Sequence, residues 1–259
     1  MNETHRDALA ATHDETHRPG RTGSGIANLV ELSHRVQAGM ITYPGLPGPT
    51  LTEHFSFEQS RSMYAPGTEF MIGNVSLLTS TGTYIDSPRH RFPGGRDVSQ
   101  ISLDRCAMLP TVVVHIEAVE EIGPASVPDD VEGCAVLFRT GWDQHWRTPQ
   151  YGAEGHPYLT EPTAQRLVDL RVALVGIDAV NVDRTKIRER PAHTTLLAAD
   201  VPIVENLTNL SMLPAHGALF TAAPILFHDA PSFPVRAFAV VPAGLGAGRP
   251  EVQTGGVND

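Results

Sequence analysis

The run Ser80-Thr-Gly-Thr-Tyr-Ile-Asp-Ser-Pro-Arg-His90 places a hydroxyl, a phenol, a carboxylate and an imidazole within eleven residues. In extended backbone, side chains two apart share a face, so Tyr84 and Asp86 point the same way. Gly82 permits unusual dihedrals just before them. Pro88 bends the chain out of any sheet, which lets His90 return toward the same place. An imidazole, titrating near about 6.5 when unperturbed, takes and returns protons at working pH. A neutral Tyr84 hydroxyl suits donation to a developing oxyanion. Ser80 is a candidate nucleophile if a base lies within hydrogen-bond reach. Taken singly, His90 also reads as a loop histidine between Arg89 and Arg91, and Asp86 as a turn cap ahead of Ser87-Pro88. Their convergence beside Gly and Pro favours a reaction site.

A second group lies downstream. Glu205 sits inside Pro202-Ile-Val-Glu-Asn-Leu207, a largely apolar stretch. A carboxylate buried on such a strand must be paired, protonated or metal-bound. Arg190 or another arginine is the structural alternative for its partner. His193, in Pro191-Ala192-His193, is the nearest imidazole before it.

The first run resembles the signature of the cyclase family, metal-dependent hydrolases that include kynurenine formamidases and isatin hydrolases. The family pattern reads His-x-Gly-Thr-His-x-Asp-x-Pro-x-His; here Ser80 and Tyr84 stand where it has histidines. The resemblance extends to Leu32-Ser33-His34 with Thr42-Tyr43-Pro44-Gly45, to Arg139-Thr140-Gly141-Trp142 and to Gly176-Ile177-Asp178-Ala179-Val180-Asn181. It continues through Pro191-Ala192-His193 with Pro202 to Leu207, and ends in Phe233-Pro234-Val235-Arg236-Ala237. It implies that Asp86, His193 and Glu205 are metal ligands, that His90 shuttles protons, and that the chain assembles as a homo-oligomer. Serine and phenol are weak ligands, so the surviving set suits one divalent ion, zinc or manganese, rather than two.

Three functional readings follow. In the first, Asp86, His193 and Glu205 hold one ion and His90 moves the proton, hydrolysing a small amide, formamide or lactone; Arg89 and Arg91 are candidates for recognising a substrate carboxylate. In the second there is no metal, and Tyr84 and His90 run a cyclisation, dehydration or isomerisation. In the third the chain is an inactive relative that binds a metabolite.

The elements that must position these residues are legible as short β-branched runs. Thr111 to Ile116, Ala135 to Phe138, Val172 to Ile177 and Ala237 to Val241 read as strands buried on both faces. Thr160 to Leu170 reads as a helix leading into one of them. The expected fold is α/β, strand-rich and single-domain; the resemblance implies a compact mixed β/α fold around a barrel-like sheet. Residues 1–24 read as a polar, disordered tail whose His5, His13 and His17 lack preorganised geometry. Residues 25–245 form the catalytic domain, and 246–259 a Gly-rich flexible tail. Cys106 and Cys134 are too few for a disulfide framework, and Cys134 reads as a buried thiol. His115, in a valine run, reads as a core histidine; His34, His145, Trp142 and Trp146 are candidates to line a pocket.

A formal net charge of −10 among 259 residues argues against a nucleic-acid partner, and the resemblance implies a small-molecule substrate. No apolar run is long enough for a membrane span, and no secretory signal is evident, so the expected location is cytoplasmic.

Overall fold

The computed structural model describes residues 27–245. The expected tails, with His5, His13 and His17, lie outside the described residues. Thirteen strands form: β1 (Asn28–Glu31), β2 (Thr50–Phe55), β3 (Ile72–Ser76), β4 (Tyr84–Asp86), β5 (Leu109–His115), β6 (Glu121–Ile122), β7 (Ala135–Arg139), β8 (Tyr158–Leu159), β9 (Leu174–Ile177), β10 (Ile203–Glu205), β11 (His216–Thr221), β12 (Ser232–Pro234) and β13 (Phe238–Val241). Three α-helices join them: α1 (Phe57–Met63), α2 (Glu161–Asp169) and α3 (Pro191–Ala198).

Nine strands make one curled, half-barrel sheet in the order β1-β13-β11-β5-β7-β9-β10-β4-β12. Its centre, β5-β7-β9-β10, is parallel, and both flanks are antiparallel. Central strands must be covered on both sides, which is why their sequences are apolar without a polar face. In β7, Val136 and Phe138 pack with Leu167 of α2 and Leu196 of α3, while Ala135 and Leu137 pack with Leu32 and Phe220 on the opposite side. The sheet is thus the partition between two cores.

Helix α2 starts where the sequence indicates. The Thr160 hydroxyl accepts from Thr163 N–H, and Pro sits in the first turn, where its missing donor costs nothing. Helix α3 begins differently: Arg190 at its N-cap is left-handed and offers no side-chain cap. The donors of that first turn must therefore be satisfied from elsewhere in the chain.

Two sequence expectations need correction. His115 is exposed, not a core residue, because it ends β5 on the pleat opposite Val114 as the sheet gives out. Cys134 is only half-buried, lying in the turn before β7 rather than within it. Strands β2 and β3 pair only with each other, and their residues lie open to solvent apart from Phe55. Among the described residues no helix is long and apolar enough to cross a membrane.

Candidate active site

The site forms where β4 and β10 pair antiparallel, with Glu205 opposite Tyr84 and Ile203 opposite Asp86. Ile85 and Val204 point into one core. Strand alternation therefore sends Tyr84, Asp86, Ile203 and Glu205 to the other face, the one α3 covers. Gly82 enters this strand with φ +67, and a Cβ there would lie 2.8 Å from Val36 Cγ2. Its carbonyl accepts from Asn206 Nδ2 at 2.8 Å, fixing the start of β4 against the end of β10.

Glu205 is fully buried and holds two donors: the Tyr84 hydroxyl on Oε2 and Val182 N–H on Oε1 at 2.7 Å. Arg190 is not its partner; that guanidinium bonds Asn181 instead. Burial, then the neighbouring charges of Glu205 and Asp86, push the Tyr84 phenol well above its ordinary range. Tyr84 is therefore a neutral donor clamped onto Glu205. Burial, aided by the Asp86 charge, raises Glu205 to about 7 against the pull of His193 and its two donors.

His193 sits in the first turn of α3. Its Nδ1 donates to Asp183 Oδ2 at 2.6 Å, and Asp183 also accepts from Ala192 N–H at 2.7 Å and His193 N–H at 3.0 Å. Asp183 thus supplies the cap that Arg190 does not, and fixes the ring at the same time. Nε2 faces Asp86 Oδ2 at 3.6 Å and Glu205 Oε1 at 3.5 Å. Burial opposes a charge on His193, but the Asp183 bond and the Asp86 and Glu205 carboxylates outweigh it and raise the imidazole to about 10.

Asp86 is the anomaly. It is fully buried, yet among the described residues neither carboxylate oxygen has a hydrogen-bond partner. Oδ1 faces His90 Nδ1 at 3.3 Å, outside good hydrogen-bonding geometry, and Oδ2 faces His193. His90 reaches it because the chain turns through a short 3-10 helix, Pro88–His90, directly after β4. Asp86, His90 and His193 each offer a ligand atom within 4.8 Å of the others. An orphaned buried carboxylate between two imidazoles is a donor set that a divalent cation fits. Above it lies a pocket of about 290 Å³ lined by Tyr43, Leu46, Ser80, Tyr84, His90, Arg91, Asn181, Arg190 and His193. Arg89 points elsewhere, to Asp229 and the Pro93 carbonyl.

Sequence reading missed Asp183, Asn181 and the backbone of Val182. These three consecutive residues each hold one part of the site: Asn181 the Arg190 guanidinium, Val182 the Glu205 carboxylate, Asp183 the His193 ring. The signal was available at α3, whose N-terminus has no local cap in the sequence.

His34 is not part of this pocket's lining. It stacks on Trp146 with ring centroids 3.9 Å apart, and its backbone N–H donates to Thr83 Oγ1. Its Nε2 is buried without a partner among the described residues, and burial, partly offset by Asp143, lowers the imidazole to about 4. The folded value lies below the unfolded one, so this stability is complete above about pH 6.5 and lost as pH falls toward 4. We expect His34→Phe, which keeps the stack, to remove on the order of 2 kcal/mol from the stability difference between pH 7 and pH 4.5. Denaturant titrations of both proteins at the two pH values measure this; an unchanged difference refutes it.

The cyclase family model, described as "Putative cyclase", matches residues 30–184. The chain belongs to the cyclase family. Kynurenine formamidase of Geobacillus thermodenitrificans (strain NG80-2) is 29% identical over 211 residues, covering 80% of this chain and 95% of that protein. Isatin hydrolase A from Labrenzia aggregata, solved with benzyl benzoate bound, superposes with a TM-score of 0.71 at 23% identity, covering 83% of this chain and 94% of that one. A protein described as a potential metal-dependent hydrolase with cyclase activity gives a TM-score of 0.66 at 24% identity, covering 83% and 98%. At those identities the two structures speak to fold, and the half-barrel is the cyclase-family fold. The family match ends before α3 and β10, the elements that carry His193 and Glu205.

Proposed function

We propose that this cyclase-family protein is a hydrolase of a small amide, of the aryl formamide or lactam type. The observation that carries this is the buried Asp86 carboxylate, unpartnered by hydrogen bonds and flanked by His90 and His193 at the base of a pocket. The kinship with a kynurenine formamidase supports amide hydrolysis.

Asp86, His193 and Glu205 are the residues that would hold a zinc or manganese ion, although the three ligand atoms lying within 4.8 Å of one another come from Asp86, His193 and His90. The Nε2 separations of 3.6 and 3.5 Å resemble those of neighbouring ligands about one ion with bonds of about 2.0–2.2 Å. Such an ion supplies Lewis acidity and lowers the pKa of water. The chain does the rest. Asp183 keeps the proton of His193 on Nδ1, so that Nε2 remains available for coordination. Tyr84 and Val182 fix Glu205 so that the acidic face keeps one shape.

His90 is assigned the proton. Its side chain is 37% exposed and lines the pocket, unlike the buried Asp86, His193 and Glu205. It takes a proton from the attacking water as the C–O bond forms, and gives one to the departing nitrogen as the C–N bond breaks. Asp86 Oδ1 beside Nδ1 favours the tautomer with Nε2 free as acceptor.

Ligand and shuttle separate experimentally. Untagged protein loaded with zinc or manganese should hydrolyse formanilide-type substrates. His90→Ala should keep about one equivalent of metal while kcat falls roughly 10²–10⁴-fold. His193→Ala should lose both metal and activity. A His90→Ala protein that loses its metal would make His90 a ligand instead. Wild-type protein holding metal but inert toward formamide, lactam and lactone panels would end the hydrolase reading.

A further inference from the structure

Asn206 follows Glu205 directly and is fully buried, with left-handed backbone (φ 57). Asparagine tolerates that conformation where most side chains are strained. Both its backbone groups and both its side-chain atoms make hydrogen bonds. The N–H donates to the Ala179 carbonyl at 3.1 Å, and the carbonyl accepts from the Thr83 hydroxyl. Nδ2 donates to the Gly82 carbonyl at 2.8 Å, and Oδ1 accepts from the Tyr151 hydroxyl at 2.7 Å. A carbonyl can only accept, so the amide has one orientation here and the Tyr151 hydroxyl must donate.

Tyr151 is itself firmly built in, being only 3% exposed. Its ring meets Trp146 edge-on, with centroids 4.9 Å apart, and its carbonyl accepts from Trp142 Nε1 at 3.0 Å. Asp178 anchors the start of this aromatic segment by accepting from Thr140 N–H and Gly141 N–H. Burial, then the charges of Asp178 and Glu205, push the phenol well above its ordinary range, so it stays a donor. Yet Tyr151 does not line the catalytic pocket. It walls a separate cavity of about 440 Å³, which Thr42 also lines. Thr42 Oγ1 accepts from Gly82 N–H at 3.0 Å. Gly82 is thus held through its N–H by Thr42 and through its carbonyl by Asn206. It has no side chain to lock its backbone, so these two bonds do so. Two residues later β4 sets Tyr84 opposite Glu205, and Asp86 faces His90 and His193.

We propose that Tyr151 and Asn206 are positioning residues for the catalytic site. The Tyr151 hydroxyl orients the Asn206 amide, the amide holds Gly82, and Gly82 sets where β4 places Tyr84 and Asp86 against Glu205. Neither residue touches the substrate; both act through the relation of two strands. Misplacement of reacting groups by about 1 Å can cost about a hundredfold in rate, so a distant hydroxyl with this connection has a kinetic effect. This inference rests on the hydrolase reading for its effect on turnover, but not for the placing of β4.

Tyr151→Phe removes one hydroxyl and keeps the ring against Trp146. With metal-loaded full-length protein and formanilide, we expect kcat to fall about tenfold while KM moves less than about twofold. Asn206→Gly, suited to left-handed backbone, should lower kcat by about 10–100-fold. The double variant decides the route. Because the hydroxyl acts through the amide, the double variant should match Asn206→Gly within about twofold. Multiplied effects overturn the relay, as does a Tyr151→Phe protein whose thermal midpoint falls while kcat stays. Should Asn206→Gly not fold, Asn206→Asp takes its place in the same cycle, since its carboxylate keeps an acceptor for Tyr151 and offers Gly82 no donor. Hydrogen exchange on metal-free protein gives a reading that needs no turnover. Tyr151→Phe should speed exchange across residues 82–86 by at least about threefold and leave β5 unchanged. Exchange that is unaltered there, or raised equally in β5, overturns the proposal. An inert wild type would end the hydrolase reading and leave exchange to decide on Tyr151 and Asn206.

Discussion

Asp86→Asn lowers kcat/KM by roughly a thousandfold or more, reduces metal in the purified protein to trace levels, and leaves the metal-stripped fold at least as stable as wild type. The first two outcomes follow if both carboxylate oxygens are reserved for the reaction, one facing His90 and one His193. The third separates function from architecture. A structural carboxylate accepts hydrogen bonds, and losing it exposes unsatisfied donors; Asp86 accepts none, although it is fully buried. An amide of the same size therefore removes no bond that holds the sheet, and the relief of repulsion against Glu205 offsets the attraction lost to His193. Elemental analysis, steady-state kinetics and thermal melts of chelated protein give the three readings. A large fall in the midpoint of the stripped variant would make Asp86 a structural residue and remove the main support for the catalytic proposal.

Asp183→Ala has the opposite profile: it costs stability first, by about 3–5 kcal/mol. Asp183 accepts three bonds, two from the first turn of α3 and one from the His193 ring. The His193 ring hydrogen bond and charge, aided by those two backbone donors, outweigh burial and hold its carboxyl below the usual range. Truncation leaves three orphaned donors, the backbone N–H groups of Ala192 and His193 and the Nδ1–H of the His193 ring. Asp183→Asn retains an acceptor for the helix while losing the charge, and should recover part of that stability. Urea unfolding of the three proteins at pH 7 gives the order wild type, Asn, Ala. If Ala and Asn are equally unstable, the charge on Asp183 matters and the cap does not; if all three coincide, neither does.

Much of this was readable from residue order, for definite reasons. The alternation through Tyr84 and Asp86 is a local property of β4, as is the oddity of an acid in the apolar β10, so both stand out without partners being known. The strands from Thr111, Ala135, Val172 and Ala237 were legible because burial on both faces demands uninterrupted apolar sequence. What could not be read was which donor each acid would meet. The pairing of Glu205 with Tyr84 is set by the register of two strands 121 residues apart. Asp183 and Asn181 alternate with buried Val180 and Val182 in a loop after β9, and nothing in that alternation names the groups they hold. Arg190 looked like a counter-ion for Glu205 because sequence reveals charge but not direction; its left-handed backbone turns it toward Asn181.

The ladder formed by Asn181, Val182 and Asp183 has a consequence for how this protein can vary. Each rung grips a different functional group, and the rungs are adjacent along the chain. Inserting or deleting one residue there would hand every group to the wrong neighbour at once. That loop should tolerate a change of letter at Val182, which acts through its backbone, far better than any change of length. Defects at its three positions should compound unequally rather than add, since loosening one rung frees the others to drift.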